Sequence, residues 1–185
     1  MSSLERGPVY LWTGKGAGKT TSALGVALRA VGHGKKVVII QFLKGRKEIG
    51  EYKIKDKLGP EYEIYQFGRF KFIDPKNPDP KDYKLAKEGL EFAKRKLKEK
   101  PFLIILDEVN LIAGPKTIEG KKYPGLLDVD EIIRFLDHVP PEVTVYLTGR
   151  YAPKDLIDRA DFATEIREIK RPDGKGFSAR EGIEY

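Results

Sequence analysis

A glycine-rich segment lies between an apolar run and an amphipathic stretch near the start of the chain, and it restricts the possible folds more than any other feature. The apolar run covers residues 9–12, and residues 13–21 then read Thr-Gly-Lys-Gly-Ala-Gly-Lys-Thr-Thr. Residues 19–31 repeat apolar side chains at helical spacing, which predicts an amphipathic helix. A strand, a glycine-rich turn and a helix in this order are typical of a phosphate-binding loop. The predicted buried stripe of the helix consists of Ala23, Leu24, Ala27, Leu28 and Val31.

The residues of this loop suit the binding of a polyphosphate. Glycine backbones can adopt conformations that point successive N–H groups at one anion, and the N-terminus of the following helix adds positive potential. Lys19 supplies a full positive charge, and the Thr20 hydroxyl can bind Mg²⁺. Thr13 stands where such motifs usually have their first glycine, so a glycine-rich turn with two lysines by chance is the alternative. The candidate phosphate-binding residues are Gly14, Lys15, Gly16, Ala17, Gly18, Lys19, Thr20 and Thr21.

Apolar runs and amphipathic stretches continue to alternate along the rest of the chain. Further strands are predicted at residues 37–40, 63–67, 102–106, 143–147 and 162–169. Helices are predicted after Asp79, Asp128 and Pro153, whereas residues 114–125 indicate a loop. This alternation predicts an α/β fold with a mostly parallel central sheet and helices on both faces. At 185 residues and without a linker, the chain is expected to form one domain over residues 1–185.

Two polar clusters follow predicted strands, and in parallel sheets ligands bind beyond the carboxyl ends of the strands. Asp107 and Glu108 end the most apolar strand, where one carboxylate could contact Mg²⁺ and the other could support it. The alternative is a pair of residues that caps a helix. Arg150 follows a later strand in Thr-Gly-Arg, and it is a candidate ligand of a phosphate or ribose. A solvated arginine in a turn is the alternative there.

The composition excludes several kinds of site. With no cysteine, the chain has no disulfide, thiolate metal site, iron–sulfur cluster or cysteine nucleophile, and two histidines are too few for a multi-histidine metal site. Its net charge of +7 would suit a nucleic-acid surface, but lysines and glutamates are interleaved, which favours a solvated surface without a nucleic-acid partner. No run approaches the roughly 20 apolar residues of a membrane span, and no signal peptide is evident. We therefore expect a cytoplasmic protein without a membrane partner.

Six short segments together resemble one enzyme family. They are residues 13–21, 29–37, 41–45 (Gln-Phe-Leu-Lys-Gly), 106–108, 148–150 and 182–185 (Gly-Ile-Glu-Tyr). These segments closely resemble the P-loop type of ATP:corrinoid adenosyltransferases, also called cob(I)alamin or cob(I)yrinic acid a,c-diamide adenosyltransferases. The similarity extends from about Gly7 to Tyr185. The phosphate loop alone is unspecific, whereas residues 41–45 and 182–185 are much more specific.

The resemblance implies a RecA-like P-loop NTPase fold, usually a homodimer, and a transfer reaction. The 5′-deoxyadenosyl group of ATP would move to the Co(I) of a corrinoid, tripolyphosphate would leave, and a flavoprotein or other reductase would supply Co(I). By this resemblance, residues 14–21 bind ATP, and Lys19, Glu108 and Arg150 act in catalysis. Mg²⁺ would be bound by Thr20 and Glu108, with Asp107 beside them. Longer members of the family also carry an N-terminal helical extension, whereas few residues precede the first strand here.

An aromatic-x-aromatic segment of the family, which helps to remove the lower ligand of cobalt, best matches Phe70 and Phe72. Two buried aromatics in a loop are the alternative interpretation of this pair. Phe72 stands where well-known members have tryptophan. The resemblance therefore makes both residues candidate contacts of the corrinoid.

Three other functions remain open from the sequence. A RecA-like ATP-hydrolysing module would release phosphate when stimulated by nucleic acid, with steeply salt-dependent binding. A nucleoside kinase would release ADP and phosphorylate a nucleoside. A corrinoid carrier that senses nucleotides would bind both ligands without turnover.

Overall fold

The computed structural model describes residues 5–70, 77–118, 120–170 and 178–184. The helices in this part of the chain are α1 (Lys19–Gly32), α2 (Gly50–Lys53), α3 (Lys55–Leu58), α4 (Pro80–Leu97), α5 (Val109–Ile112), α6 (Val129–Asp137) and α7 (Lys154–Arg159). The strands are β1 (Val9–Thr13), β2 (Val37–Phe42), β3 (Tyr62–Phe67), β4 (Leu103–Asp107), β5 (Lys116–Ile118), β6 (Lys121–Tyr123), β7 (Thr144–Thr148) and β8 (Phe162–Glu165). None of these helices is both long and apolar enough to cross a membrane.

Six of the described strands form one parallel sheet in the order β3-β2-β4-β7-β1-β8. The central strands β2 and β4 are buried along their whole length, as their unbroken apolar sequences predict for strands covered on both faces. β8 lies at one border of the sheet, and all four of its residues are exposed. The predicted α/β class with a parallel sheet, of P-loop NTPase type, is confirmed.

Helices cover both faces of the sheet. Because successive residues of a strand point to opposite sides, each buried strand contributes side chains to both layers. On one face, Ile39 and Ile105 pack in the cluster that contains Ala27 of α1. On the other face, their neighbours Ile40 and Ile104 pack in the cluster that contains residues of α4 and α6. The sheet therefore sits between two apolar layers, and α1, which directly follows the glycine-rich loop, forms part of one of them.

Local signals in the sequence correctly locate the start of two helices. Asp79 accepts a hydrogen bond from the N–H of Lys81, and Asp82 accepts one from the N–H of Asp79, which makes a capping box at α4. Asp128 likewise precedes α6, and its side chain accepts a hydrogen bond from the N–H of Asp130. Polar residues with short side chains mark these helix starts because they satisfy N–H groups that have no partner within the helix.

The structure differs from the sequence-based expectation in two segments. Within residues 114–125, expected to be a loop, β5 and β6 pair as an antiparallel hairpin. Its strands have three residues each and are rich in lysine, so they give no clear apolar alternation. The last strand, β8, ends at Glu165, four residues before the predicted end.

Candidate nucleotide-binding site

The carboxyl ends of the central strands border a cleft of about 960 Å³. Residues from the glycine-rich loop, from the ends of β4 and β7, and from the last part of the chain line it. As the sequence predicts, the polar clusters after β1, β4 and β7 therefore lie at one edge of the sheet. The lining residues are Gly16, Ala17, Gly18, Lys19, Thr20, Thr21, Leu24, Leu28, Lys44, Gly50, Glu51, Ile54, Leu58, Tyr62, Glu108, Arg150, Gly182, Ile183 and Glu184.

The glycine-rich loop packs closely against the segment that follows β8. Gly14 and Gly18 have φ angles of 103° and 101°, in the left-handed region that favours glycine. A Cβ atom on Gly14 would lie 2.2 Å from the carbonyl oxygen of Ile166. The N–H of Gly16 donates a hydrogen bond of 2.9 Å to this same carbonyl oxygen. Glycine at position 14 is thus required both by the backbone conformation and by the close approach of residue 166.

Lys19, the first residue of α1, is buried and lines the cleft. Its ammonium donates a hydrogen bond to the carbonyl oxygen of Gly16 within the loop. Burial lowers the pKa of Lys19, and the negative charge of Glu108 opposes that shift. The lysine is therefore placed to meet an anion bound by the loop.

Asp107 is a buried carboxylate, and each of its two oxygens accepts two hydrogen bonds. Oδ1 accepts from the hydroxyls of Thr20 at 2.8 Å and Thr148 at 2.6 Å. Oδ2 accepts from Gln41 at 3.1 Å and from the ammonium of Lys44 at 2.8 Å. Burial by itself would raise the pKa of Asp107, but the Lys44 charge and these hydrogen bonds hold it below its usual value. Asp107 is thus an ionised anchor for the side chains around the cleft.

Glu108 has a different environment from its neighbour. Its φ angle of 64° is left-handed, and its N–H donates to the hydroxyl of Thr148 at 3.0 Å. Glu108 precedes α5, but its side chain makes no capping hydrogen bond, so the capping alternative does not apply to it. Its Oε2 atom is buried and has no hydrogen-bond partner among the described residues. Burial, together with the charge of Asp107, raises the pKa of Glu108.

A buried carboxylate oxygen without a partner suits a cationic ligand, because such an atom is costly unless it is paired. The Thr20 hydroxyl and Glu108 are the oxygen ligands that Mg²⁺ prefers, and Asp107 lies beside Thr20. The described residues contain no group of three acidic, histidine or cysteine side chains that would bind a metal ion alone. The site thus fits a Mg²⁺ ion whose remaining ligands are phosphate oxygens and water.

Arg150 is exposed and lines the cleft in a turn with an unusual backbone. Its neighbours Gly149 and Tyr151 have φ angles of 134° and 57°. The N–H of Ala152 donates to the hydroxyl of Thr13 at 3.1 Å, so the threonine in place of the motif's first glycine fixes this turn to the loop. The geometry places the arginine that the sequence singled out at the same cleft as the loop.

An apolar wall completes the cleft. The sequence predicts Leu28 in the buried stripe of α1, but 58% of this side chain is exposed, which corrects that expectation. Helical periodicity cannot distinguish a stripe that faces the core from one that faces a cleft. Ile183, in the segment singled out by resemblance, lines the cleft as well and is exposed. The residues of this wall are Leu24, Leu28, Ile54, Leu58 and Ile183.

Three polar residues of the site are absent from the candidate residues predicted by the sequence. Gln41 and Lys44 contact Asp107, and Glu51 contacts both of them, with its carboxylate oxygen 3.7 Å from the ammonium of Lys44. An amide within the otherwise apolar strand β2 was the signal that could have identified Gln41.

Phe70 lies outside the set of residues that line the cleft. The residue is 65% exposed, so it is not a buried loop aromatic, and the guanidinium of Arg46 lies 5.8 Å from the ring centre. Arg69 forms a bidentate ion pair with Asp82 of α4, which anchors the segment before Phe70. Phe72 and Tyr185 lie outside the described residues.

Comparison with known proteins adds independent information. Residues 5–185 match the family model described as ATP:corrinoid adenosyltransferase BtuR/CobO/CobP. The chain is 35% identical over 182 residues to the corrinoid adenosyltransferase of Escherichia coli K12, covering 98% of this chain and 87% of that protein. It is 34% identical over 184 residues to the corrinoid adenosyltransferase of a Sinorhizobium species, covering 98% and 81%. Identity to the corrinoid adenosyltransferase CobA of Salmonella typhimurium is 34% over 183 residues, covering 98% and 87%.

Proposed function

This chain belongs to the ATP:corrinoid adenosyltransferase family, and on that premise we propose that it transfers the 5′-deoxyadenosyl group of ATP to the Co(I) ion of a corrinoid. The products would be adenosylcobalamin or an adenosylated precursor, together with tripolyphosphate. One observation supports the proposal above all others. A phosphate-type loop, Lys19 and the carboxylate oxygen of Glu108 that has no partner among the described residues belong to one cleft that also has an apolar wall.

The proposed reaction is a nucleophilic displacement at the C5′ carbon of ATP. An electron pair of Co(I) forms the cobalt–carbon bond, the bond between C5′ and the α-phosphate oxygen breaks, and its electron pair leaves with tripolyphosphate. No protein nucleophile or general base is needed, in agreement with a chain that has no cysteine. Alignment of the two reactants can contribute roughly 7–11 kcal/mol to lowering the barrier.

The protein's electrostatic contribution is proposed to act on the leaving tripolyphosphate. Lys19 would exchange the carbonyl oxygen of Gly16 for a phosphate oxygen, and loop N–H groups and Arg150 would bind the growing negative charge. Charged donors that are already in place cost little reorganisation during the reaction. These residues therefore favour the transition state over the bound ATP.

The same cleft has a suitable place for Mg²⁺. The Thr20 hydroxyl and Glu108 would hold the ion, and Asp107 would support it through its hydrogen bond with Thr20. When bound, Mg²⁺ supplies positive charge that stabilises the triphosphate. Lys44 keeps Asp107 ionised, so Asp107 can continue to accept the hydrogen bond from Thr20.

The corrinoid is proposed to contact Phe70 and Phe72 and to lose its lower ligand there. We also propose a homodimer and an electron donor, a flavoprotein or other reductase, that produces Co(I). Phe70→Ala is expected to lower turnover with cobalamin several-fold more than with a corrinoid that has no lower ligand. Steady-state kinetics with both substrates tests this expectation, and an equal loss with both would contradict it.

One anaerobic experiment tests the proposed function. The protein is mixed with ATP, Mg²⁺ and a chemically reduced corrinoid, and a light-sensitive cobalt–carbon product should form with an equal amount of tripolyphosphate. Formation of ADP and orthophosphate without a cobalt–carbon bond would contradict the proposal and favour ATP hydrolysis. Phosphorylation of an added nucleoside would indicate a kinase instead.

A further inference from the structure

Lys116 is a partly buried lysine on β5 that has no role in the proposed reaction. Its ammonium donates hydrogen bonds to the carbonyl oxygens of Asn110 at 2.7 Å and Tyr151 at 3.2 Å. Burial lowers the pKa of Lys116 to about 8, and no carboxylate contributes to this shift. Burying an ammonium without a carboxylate partner costs free energy. Any role proposed for Lys116 must therefore account for its two hydrogen bonds to carbonyl oxygens.

The contact with Tyr151 holds the turn that carries Arg150. Tyr151 has a φ angle of 57°, a conformation that a bulky residue keeps only when surrounding contacts hold it. Gly149, on the other side of Arg150, is also left-handed, and a Cβ atom there would lie 3.0 Å from the backbone nitrogen of Leu111. Arg150 thus lies in a turn that packs closely against α5 and whose Tyr151 carbonyl accepts a hydrogen bond from Lys116.

The contact with Asn110 connects the same lysine to the other half of the site. Asn110 is fully buried, and its amide donates to the carbonyl oxygens of Trp12 at 3.1 Å and Gly149 at 3.4 Å. Asn110 is only two residues after Glu108. Through Asn110 and Tyr151, Lys116 therefore joins the segment of Glu108 to the turn of Arg150.

We propose that Lys116 is a positioning residue, which holds Arg150 in the placement relative to Glu108 that a bound triphosphate requires. The proposal deepens the proposed function and rests on it for the role of Arg150. Lys116 does not line the cleft, so it would act through Arg150 and not by touching the substrate.

A double-mutant cycle on the full chain separates positioning from a general effect on folding. The variants are Lys116→Met, Arg150→Ala and their combination, and calorimetry measures the affinity for tripolyphosphate with Mg²⁺. We expect Lys116→Met to weaken binding about fivefold or more, within the range of coupling for residues in one network. In the Arg150→Ala background, Lys116→Met should cause little further loss. Losses that multiply in the combined variant, or no effect of Arg150→Ala, would overturn the proposal.

Two further measurements make the cycle specific. Lys122→Met, an exposed lysine on the same hairpin, is the matched control and should bind tripolyphosphate as the unchanged protein does. Lys116→Arg keeps the donors and should recover most of the affinity, whereas affinity as low as that of Lys116→Met would count against the carbonyl contacts. In Lys116→Met, hydrogen exchange should become faster at the Gly149 and Ala152 amides but not in β2. Unchanged exchange at both amides would contradict the proposal.

Tripolyphosphate binding does not require adenosyl transfer, so binding without formation of a cobalt–carbon bond would refute the proposed function and still test Lys116. If the Lys116→Met chain does not fold, Lys116→Ala takes its place in the cycle, because alanine also removes the hydrogen-bond donors and has no long side chain to accommodate. Failure of the unchanged protein to bind tripolyphosphate would refute both.

Discussion

Asp107 and Glu108 show how two adjacent carboxylates acquire different properties from their surroundings. Hydrogen bonds and the Lys44 charge hold the pKa of Asp107 below its usual value. Burial raises the pKa of Glu108, whose Oε2 has no partner among the described residues. A cation near Glu108 would lower its pKa again, since an opposite charge favours the ionised form. Glu108 is therefore the carboxylate whose state depends most on what enters the cleft.

Glu108→Gln is expected to remove the benefit of Mg²⁺ for the binding of tripolyphosphate. The amide has the shape of the carboxylate but no charge, so affinity with Mg²⁺ should fall at least tenfold and affinity without Mg²⁺ should change little. Titration calorimetry with and without Mg²⁺ measures both values. Glu88→Gln, at an exposed position of α4, is the control. Equal affinities of the Glu108→Gln variant and the unchanged protein with Mg²⁺ would exclude Glu108 as a ligand.

Lys116 gives a prediction for the dependence of stability on pH. Its pKa is about 8 in the folded chain and near 10.5 when solvated, so the unfolded chain binds more protons between these values. The free energy of unfolding contributed by this group therefore rises as the pH increases from 8 to 10.5. Denaturant titrations should show a smaller rise for Lys116→Met than for the unchanged chain. Parallel curves for the two proteins would contradict the lowered pKa.

The glycine-rich loop and the segment after β8 form one structural unit. The N–H groups of Gly16 and Ile166 bond to the carbonyl oxygens of Ile166 and Thr13, respectively, so the loop is held from outside itself. A side chain at position 14 or 16 would meet the backbone of residues 166–167 and separate the two segments. The loop thus depends on residues that are more than 140 positions away in the sequence.

Gly14→Ala is expected to disrupt this unit, because its Cβ would clash with the backbone of Ile166 and because its φ angle is 103°. Tripolyphosphate affinity and the free energy of unfolding should both decrease. Gly25→Ala is the matched control on α1, where nothing lies within 4 Å of the added Cβ. Alanine should stabilise that helix by about 0.5–1 kcal/mol. Calorimetry and denaturant titration test both variants, and normal binding by Gly14→Ala would refute the close approach.

A network of ion pairs connects the edge strand β3 to α4 and to the segment before β2. Glu63 of β3 contacts Lys96 of α4 at 2.7 Å and Lys36, which precedes β2, at 2.9 Å. Glu99 contacts both lysines at 3.0 and 3.1 Å. Single exposed pairs contribute little, but shared partners reduce the cost of ordering each side chain. The network therefore stabilises the docking of β3 and α4.

The network predicts a loss of stability in acid. Burial would raise the pKa of Glu63, but the hydrogen bonds from Lys96, Lys36 and Tyr65 outweigh it and lower the pKa to about 2. Since the folded pKa lies below the unfolded value of about 4.5, this contribution is present above pH 4.5 and is lost as the pH falls toward 2. The midpoint temperature of thermal unfolding, measured from pH 5 to pH 2, should therefore fall more steeply for the unchanged chain than for Glu63→Gln. Equal slopes would show that the pKa is not lowered.

The sequence predicted the architecture well because long apolar runs and capping residues act locally. The runs of β2 and β4 and the Asp79 cap of α4 gave the correct elements. The individual side-chain contacts between distant segments could not be predicted. Gln41 and Lys44 meet Asp107 only after β2 and β4 pair, and the partial exposure of Leu28 depends on which side of α1 borders the cleft.

The ammonium of Lys19 and the N–H of Gly16 both bond to protein carbonyl oxygens. An incoming anion must exchange with such bonds, and only the difference in strength contributes to its affinity. Chloride, which reaches few groups, gains little from that exchange. In the proposed complex, a chain of three phosphates would also reach Arg150, which lines the same cleft. We therefore predict that the loop discriminates against the abundant small ions of a cell and in favour of long polyanions.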